Sequence, residues 1–311
     1  MGGGLNGFSF FQDSVLDYLR TAKKHFRRDY LKMKRFLKTK DFSVSGEEFE
    51  LIWDSELNML RTHPEPKDLD NYYNSEAYIS HTDSAKTLVE KLYQYIKKHN
   101  LRKKINLINK YSSSDKTLLD IGAGTGSFLE SAKDKGWEVY GIEPNKKARD
   151  LALNKGLKLK ENIDLLEKQS YQVITLWHVL EHLPDLELQI NRITSLLNKD
   201  GTLILAVPNF QSYDAGHYKE YWAAYDVPRH LSHFSQLSIR KLFAKNGMKV
   251  IRTRPMIFDS FYVSLLSEKY KHGKGNFIKA FLVGLKSNIW AWKTKEYSSL
   301  LYILKMDKKA F

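Results

Sequence analysis

Residues 118–128 read LLDIGAGTGSF, an apolar run closed by an acid and followed by Gly122, Gly124 and Gly126 at alternate positions. The chain has only 17 glycines in 311 residues, so three within five positions mark a loop whose backbone turns tightly or meets something closely. A short apolar run bounded by such a signal reads as a buried strand. The pattern then repeats. TLLDI (117–121), WEVYGIE (137–143), YQVITLW (171–177) and TLILAVP (202–208) alternate with helical patterns at 126–135, 145–154 and 186–197. Continuous apolar strands spaced by amphipathic helices predict a doubly wound α/β fold around a mostly parallel sheet. MKVIRTRPM (248–256) and SSLLYILKM (298–306) are also strand-like but stand about forty helical residues apart, which predicts an antiparallel last strand preceded by a helical insert at 258–297.

In such a sheet ligands bind at the carboxyl ends of the strands, so the loop after the first strand is the expected site. Gly126 opens a helix whose free N–H groups suit an anion. Glu143 ends the second strand about twenty residues further on, where a carboxylate accepts both hydroxyls of a ribose. A dinucleotide loop has the form G-x-G-x-x-G, but here the third glycine comes one residue early and Ser127 holds the later place. Asp120, two residues before the first glycine, adds negative charge that a pyrophosphate would not welcome and an ammonium group would. S-adenosylmethionine carries an α-amino group, a carboxylate and a ribose, and fits this set where NAD does not.

LDIGAGTG, GIEPN, ITLWHVLEHLPD and GTLILAVPN, in this order between 117 and 209, resemble the class I, seven-strand S-adenosylmethionine-dependent methyltransferases. DVPRHLSHFS (226–235) further resembles the ubiquinone-biosynthesis-type O-methyltransferases. The resemblance implies a Rossmann-like seven-stranded sheet with an antiparallel last strand, methyl transfer to oxygen of a small or lipid-like metabolite, and S-adenosylmethionine as cofactor. It implies cofactor contacts from Asp120, Gly122, Ala123, Gly124, Thr125, Gly126, Glu143, Pro144, Trp177 and His178. Asn162 and Asp164 are the candidates for the adenine contact. Some relatives carry a cysteine-bearing knuckle where this chain has FELIWDSELNML (49–60); without cysteine any zinc role there is lost.

Methyl transfer from a sulfonium is an in-line displacement, and a hydroxyl acceptor must also lose a proton. Histidine suits that task, and His178, His182, His230 and His233 are the candidate bases. Arg229 is a candidate clamp for an anionic acceptor, with His230 and His233 as further substrate contacts. HVLEH (178–182) matches an H-x-x-E-H zinc pattern, which needs both imidazoles on one helix. A strand ends at Trp177 and Pro184 follows His182 closely, so no such helix fits and no metal is expected. YYNSEAYISHTDS (72–84) reads as a lid or as packing, with Tyr78 and His81 facing the substrate.

The absence of cysteine excludes disulfides, thiolate metal sites and a catalytic thiol, and points to a reducing cytoplasm. The chain start lacks a signal-peptide pattern, and no apolar run reaches the about 18 residues of a membrane span. The net charge is +14, and residues 14–40 hold ten basic residues against two acids. Three segments follow: a basic helical arm at 1–40, or an extension ahead of a true start at Met33; a hairpin, helix and lid at 41–115; and the methyltransferase domain at 116–311. Lysines mixed with tryptophans in the insert raise peripheral contact with the inner membrane face. Two other functions compete: a non-catalytic S-adenosylmethionine-binding module, and a nucleic-acid methyltransferase that uses the basic arm. The second lacks an Asn-Pro-Pro-Tyr-like signature after the fourth strand.

Overall fold

The computed structural model describes residues 34–72, 88–112, 115–166 and 170–307. Its main sheet uses the apolar runs picked out above: β4 (Thr117–Ile121), β5 (Glu138–Ile142), β6 (Tyr171–Trp177), β7 (Leu197–Pro208), β9 (Met248–Pro255) and β10 (Ser299–Met306). Their order across the sheet is β5-β4-β6-β7-β10-β9. β5, β4, β6 and β7 run parallel, and β10 lies antiparallel to both β7 and β9. Leu118, Leu119, Ile174, Leu203, Ile204 and Ile303 are sealed from solvent, as strands covered on both faces require.

The sheet has six strands among the described residues rather than seven. Beyond β5 the chain makes a single bridge, Ile142 to Lys160. The segment there, LKLKENIDLLEK (157–168), turns after Glu161 because the Asn162 side chain accepts from the Asp164 N–H and starts a 3-10 turn, Ile163–Leu165. A strand cannot continue through a capped turn.

Helices cover both faces. They are α1 (Leu88–Tyr111), α2 (Ser127–Lys133), α3 (Lys146–Leu153), α4 (Leu186–Ser195), α5 (Tyr213–Tyr218) and α6 (Gln236–Ala244), then α7 (Asp259–His272) and α8 (Phe277–Thr294) between β9 and β10. Asn145 caps α3 by accepting from the Ala148 N–H, and Ser235 and Ser238 form a reciprocal cap on α6.

A second, four-stranded sheet has the order β1-β2-β3-β8, from Lys34–Lys40, Glu48–Asp54, Met59–His63 and Ser232–His233. Residues 34–40, assigned above to the helical arm, are therefore a strand paired with β2; residues 1–33 lie outside the described residues. β8 comes from the DVPRHLSHFS segment, so the small sheet ties the N-terminal region to the carboxyl side of β7. Phe49, Leu51 and Leu60 pack there with Phe210, Tyr218, Trp222 and Tyr225.

Arg229 is what holds this junction. Its guanidinium donates to Asp41 (2.9 Å), to both oxygens of Asp226 (2.7 and 3.0 Å) and to the Tyr72 carbonyl (3.2 Å). The side chain is 2% exposed and that of Asp41 is fully buried. Burial opposes ionisation of Asp41, but the Arg229 hydrogen bonds and the Ser45 and Ser43 N–H groups hold its carboxyl well below the usual range. Arg229 is thus spent inside the protein and is no clamp for an acceptor. Removing one partner of a buried pair strands the other charge; Asp41→Ala leaves Arg229 with Asp226, whereas Arg229→Leu strands Asp41 and is expected to cost about 3–5 kcal/mol, measured by urea unfolding. A loss below about 1 kcal/mol would show that Asp41 finds water or another partner.

Candidate active site

The glycine loop joins β4 to α2 and sits against the end of β5. Gly122, Gly124 and Gly126 all take positive φ, at 72°, 54° and 77°. They differ in surroundings. A Cβ on Gly122 would lie 2.3 Å from Val179 Cγ2, and one on Gly126 2.7 Å from Leu157 Cδ1, whereas one on Gly124 would meet nothing within 4 Å. Only Gly124 therefore borders open space; its two neighbours are glycines because protein packs on them. The Gly124 N–H donates to Glu143 Oε2 at 2.8 Å, and Glu143 Oε1 accepts from the Asn145 N–H at 2.9 Å. The loop and the ribose-type acid predicted from sequence meet directly, with Ala123, Thr125 and Pro144 on the backbone between them.

Asp120 is 2% exposed and accepts from Thr175 Oγ1 at 2.6 Å. Burial pushes its carboxyl up to about 7, against the Thr175 hydrogen bond and the nearby Lys104. It acts on the pocket through its field rather than by open contact. Lys104, on α1, was not anticipated: its Nζ lies 4.1 Å from the Trp177 ring centroid, and burial pushes it down to about 8 despite Asp120 and Asp259. Trp177 stacks edge-on to Phe128 at 5.7 Å, and its buried Nε1 has no hydrogen-bond partner among the described residues. Open space at Gly124, a carboxylate pair of the right kind and an orphaned donor at Trp177 fit S-adenosylmethionine.

His178 follows β6 with a φ of 56°. Its Nδ1 lies 3.4 Å from Glu181 Oε1 and its Nε2 3.3 Å from Asp259 Oδ2, at the start of α7. Burial disfavours a charged ring, but the close Asp259 and Glu181 carboxylates outweigh it and push His178 up to about 10. At neutral pH it is an imidazolium, which alters the expectation that it serves as the base. His182 and His230 stack edge to face at 4.5 Å. Each donates its Nδ1–H to a backbone carbonyl, of Arg229 (3.0 Å) and Ala224 (2.9 Å). Burial, with His230 adjacent, pushes His182 down to about 4 and keeps it neutral. His233 is 4% exposed; the Thr62 hydroxyl donates to the His230 carbonyl, so His233 Nε2–H donates to Thr62 Oγ1 at 3.0 Å. Burial holds it well below its ordinary value. His233 joins β8 to β3 and does not line the site.

HVLEH forms a 3-10 turn, Leu180–His182, rather than a helix. His178 and His182 do not converge. Glu181, His182 and His230 instead bring potential ligand atoms within 4.8 Å of one another, and both Glu181 carboxylate oxygens lack hydrogen-bond partners among the described residues. Asn162 is occupied in capping its turn, and Asp164 lies 3.8 Å from Arg192. Tyr78, His81 and the lid expectation lie outside the described residues.

The two classes of glycine separate by stability. Gly122→Ala is expected to lose about 2–4 kcal/mol from the positive φ and the clash with Val179, with about half recovered in Gly122→Ala/Val179→Ala. Gly124→Ala is expected to lose only about 1–2 kcal/mol, from φ alone. Thermal unfolding of the three variants checks this; equal losses at 122 and 124 would contradict it.

A family model described as a methyltransferase domain matches residues 93–253, more than half of the chain. The ubiquinone biosynthesis O-methyltransferase of Yersinia enterocolitica is 34% identical over 105 residues, 30% of this chain and 43% of that protein. That of Pelagibacter ubique is 34% identical over 113 residues, 32% and 47% respectively. The chain spans less than half the length of these curated relatives. Among solved structures, magnesium protoporphyrin IX methyltransferase from Synechocystis PCC 6803 with bound SAH aligns with a TM-score of 0.51 over 76% of this chain and 97% of that one, at 16% identity, a likeness of fold. With the family model covering the glycine loop, Glu143 and the β6 exit, the chain belongs to the class I S-adenosylmethionine-dependent methyltransferases.

Proposed function

We propose that the protein methylates a hydroxyl oxygen of a small or lipid-like metabolite, and that the proton of that hydroxyl passes to the Asp259–His178–Glu181 triad. The observation behind this reading is the placement of the His178 ring between two carboxylates beside the cofactor loop. The triad carries a net charge of minus one. It can therefore take up a proton without becoming positive, and it complements the positive charge of a sulfonium reagent. S-adenosylmethionine supplies the electrophilic methyl group; the chain's residues align the acceptor and receive its proton. Asp259 is the proton acceptor in this reading. Its side chain is 24% exposed, whereas Glu181 is 1% exposed and sealed behind the ring. His178 fixes the orientation of both carboxylates and is a positioning residue. His182 and His230, each bound to a backbone carbonyl, stand beside Glu181. The partial likeness to the ubiquinone biosynthesis O-methyltransferases supports oxygen as the target atom and a lipid-like ring as the acceptor.

The test is methyl transfer from labelled S-adenosylmethionine into a lipid extract and into phenolic acceptors, with Asp259→Asn and His233→Gln compared. Asp259→Asn is expected to lower kcat by about 10²–10⁴ with cofactor binding retained. His233→Gln is expected to lower thermal stability with kcat little changed in the folded fraction. Unchanged turnover in Asp259→Asn would rule this base out. Cofactor binding without transfer to any acceptor in the wild type would favour the non-catalytic binding module.

A further inference from the structure

α8 is apolar on both sides. Its inner side is made of small residues: Ala280, Val283, Gly284, Ser287 and Ala291 are buried. A Cβ on Gly284 would lie 3.0 Å from the Phe261 Cα, so the backbones of α7 and α8 approach closely here. Ser287 Oγ donates to the buried Asp214 at 2.7 Å, and Trp222 Nε1 and Ser298 Oγ donate to the same carboxylate. These contacts fix which side of α8 faces the protein. Its outer side carries Phe277, Ile278, Phe281, Leu282, Leu285, Ile289 and Trp292, all exposed, with Phe277, Ile278 and Trp292 at 75%, 77% and 70%. At 100° per residue these seven fall within one stripe opposite the buried side.

A stripe of this size is far beyond the scattered apolar residues of an ordinary surface. Its surroundings identify what covers it. Lys271 and Lys274 lie ahead of α8, Lys286 and Lys293 are exposed along its flank, and Lys295 caps its end. Lys295 also lines a groove of about 480 Å³ with Arg240, Arg252 and Arg254. Apolar side chains including exposed tryptophans, bordered by cations on a chain of net charge +14, match an anionic lipid surface. Two copies of this stripe facing each other would bring their cationic borders together, which disfavours self-association. No helix among the described residues is long and apolar enough to cross a membrane.

We infer that α8 lies in the plane of an anionic membrane surface, its outer stripe seated among the acyl chains and its lysines at the headgroups. α8 is tied to the start of α7, since Asn288 Nδ2 donates to the Ile257 carbonyl at 2.9 Å, two residues before Asp259. The inference stands independently of the acceptor proposed above.

Sedimentation of the full-length protein with vesicles tests it, using phosphatidylcholine alone and phosphatidylcholine with phosphatidylglycerol. Binding is expected to be at least tenfold stronger to the anionic vesicles and to weaken as salt rises. Ile278→Ser/Leu282→Ser/Trp292→Ser is expected to reduce it at least tenfold, and Lys286→Glu/Lys293→Glu at least threefold. Those side chains are exposed, so unchanged thermal unfolding and S-adenosylmethionine binding show that each variant is folded. Absence of vesicle binding, or equal binding by the triple serine variant, overturns the inference. So does a dimer in lipid-free solution that the serine substitutions dissolve, which would assign the stripe to a second copy of the chain.

Discussion

The carboxyl edge of the main sheet is organised by opposed charges, with Asp120 and Glu181 taken out of water. Asp120 at the end of β4, Lys104 on α1, His178 after β6, Glu181 in the following turn and Asp259 at the start of α7 lie within one another's fields. A buried charge is tolerated only when opposed and hydrogen-bonded. That requirement bears on where α1 and α7 dock: α1 brings Lys104 and α7 brings Asp259 to the same edge. The shifts follow from the shortage of water. Lys104 and Asp120 are drawn toward neutrality, while His178 is held as a cation by two carboxylates. A pocket so arranged suits a cationic reagent, with compensating charge already in place around it.

The N-terminal sheet makes a different use of burial. Arg229, Asp41 and Asp226 form a closed ionic knot beneath the DVPRHLSHFS segment, and His233 seals β8 to β3. The cluster that sequence alone made the most attractive acceptor site is therefore structural for two of its three members, Arg229 and His233. Only His230 stays close to the catalytic edge, through its stacking with His182. The Arg229 knot also explains why this segment folds back over the sheet: its backbone is tied to residues almost two hundred positions earlier.

The parallel sheet, its antiparallel last strand and the helical insert were legible because their signal is local: apolar runs of strand length and helical periodicity in between. The glycine loop and Glu143 were legible because backbone geometry and ribose chemistry restrict residue type at fixed spacing. What could not be read was anything that depends on which distant residue arrives at a given face. Lys104 is one lysine among many in its helix, and its neighbours Lys103 and Lys110 face solvent. Asp259 looks like an ordinary first-turn acid. Glu181 was visible only as part of a metal pattern, and its role changed once His178 and His182 proved to point to different partners. The roles of the three glycines were likewise indistinguishable until Val179 and Leu157 were seen against two of them. Among the described residues the seventh strand is replaced by a turn for a local reason, the Asn162 cap, which a strand count by analogy overlooks.

The central claim is that this edge is built for a cationic methyl donor, and calorimetry at pH 6.5 in buffers of different ionisation enthalpy tests it most directly. Asp120, raised by burial to about 7, is partly protonated there, and an arriving ammonium and sulfonium favour its ionised form. The account predicts that S-adenosylmethionine binds with net release of protons, that the release disappears in Asp120→Asn, and that NAD does not bind. Binding of NAD, or S-adenosylmethionine binding with no proton release, would contradict it.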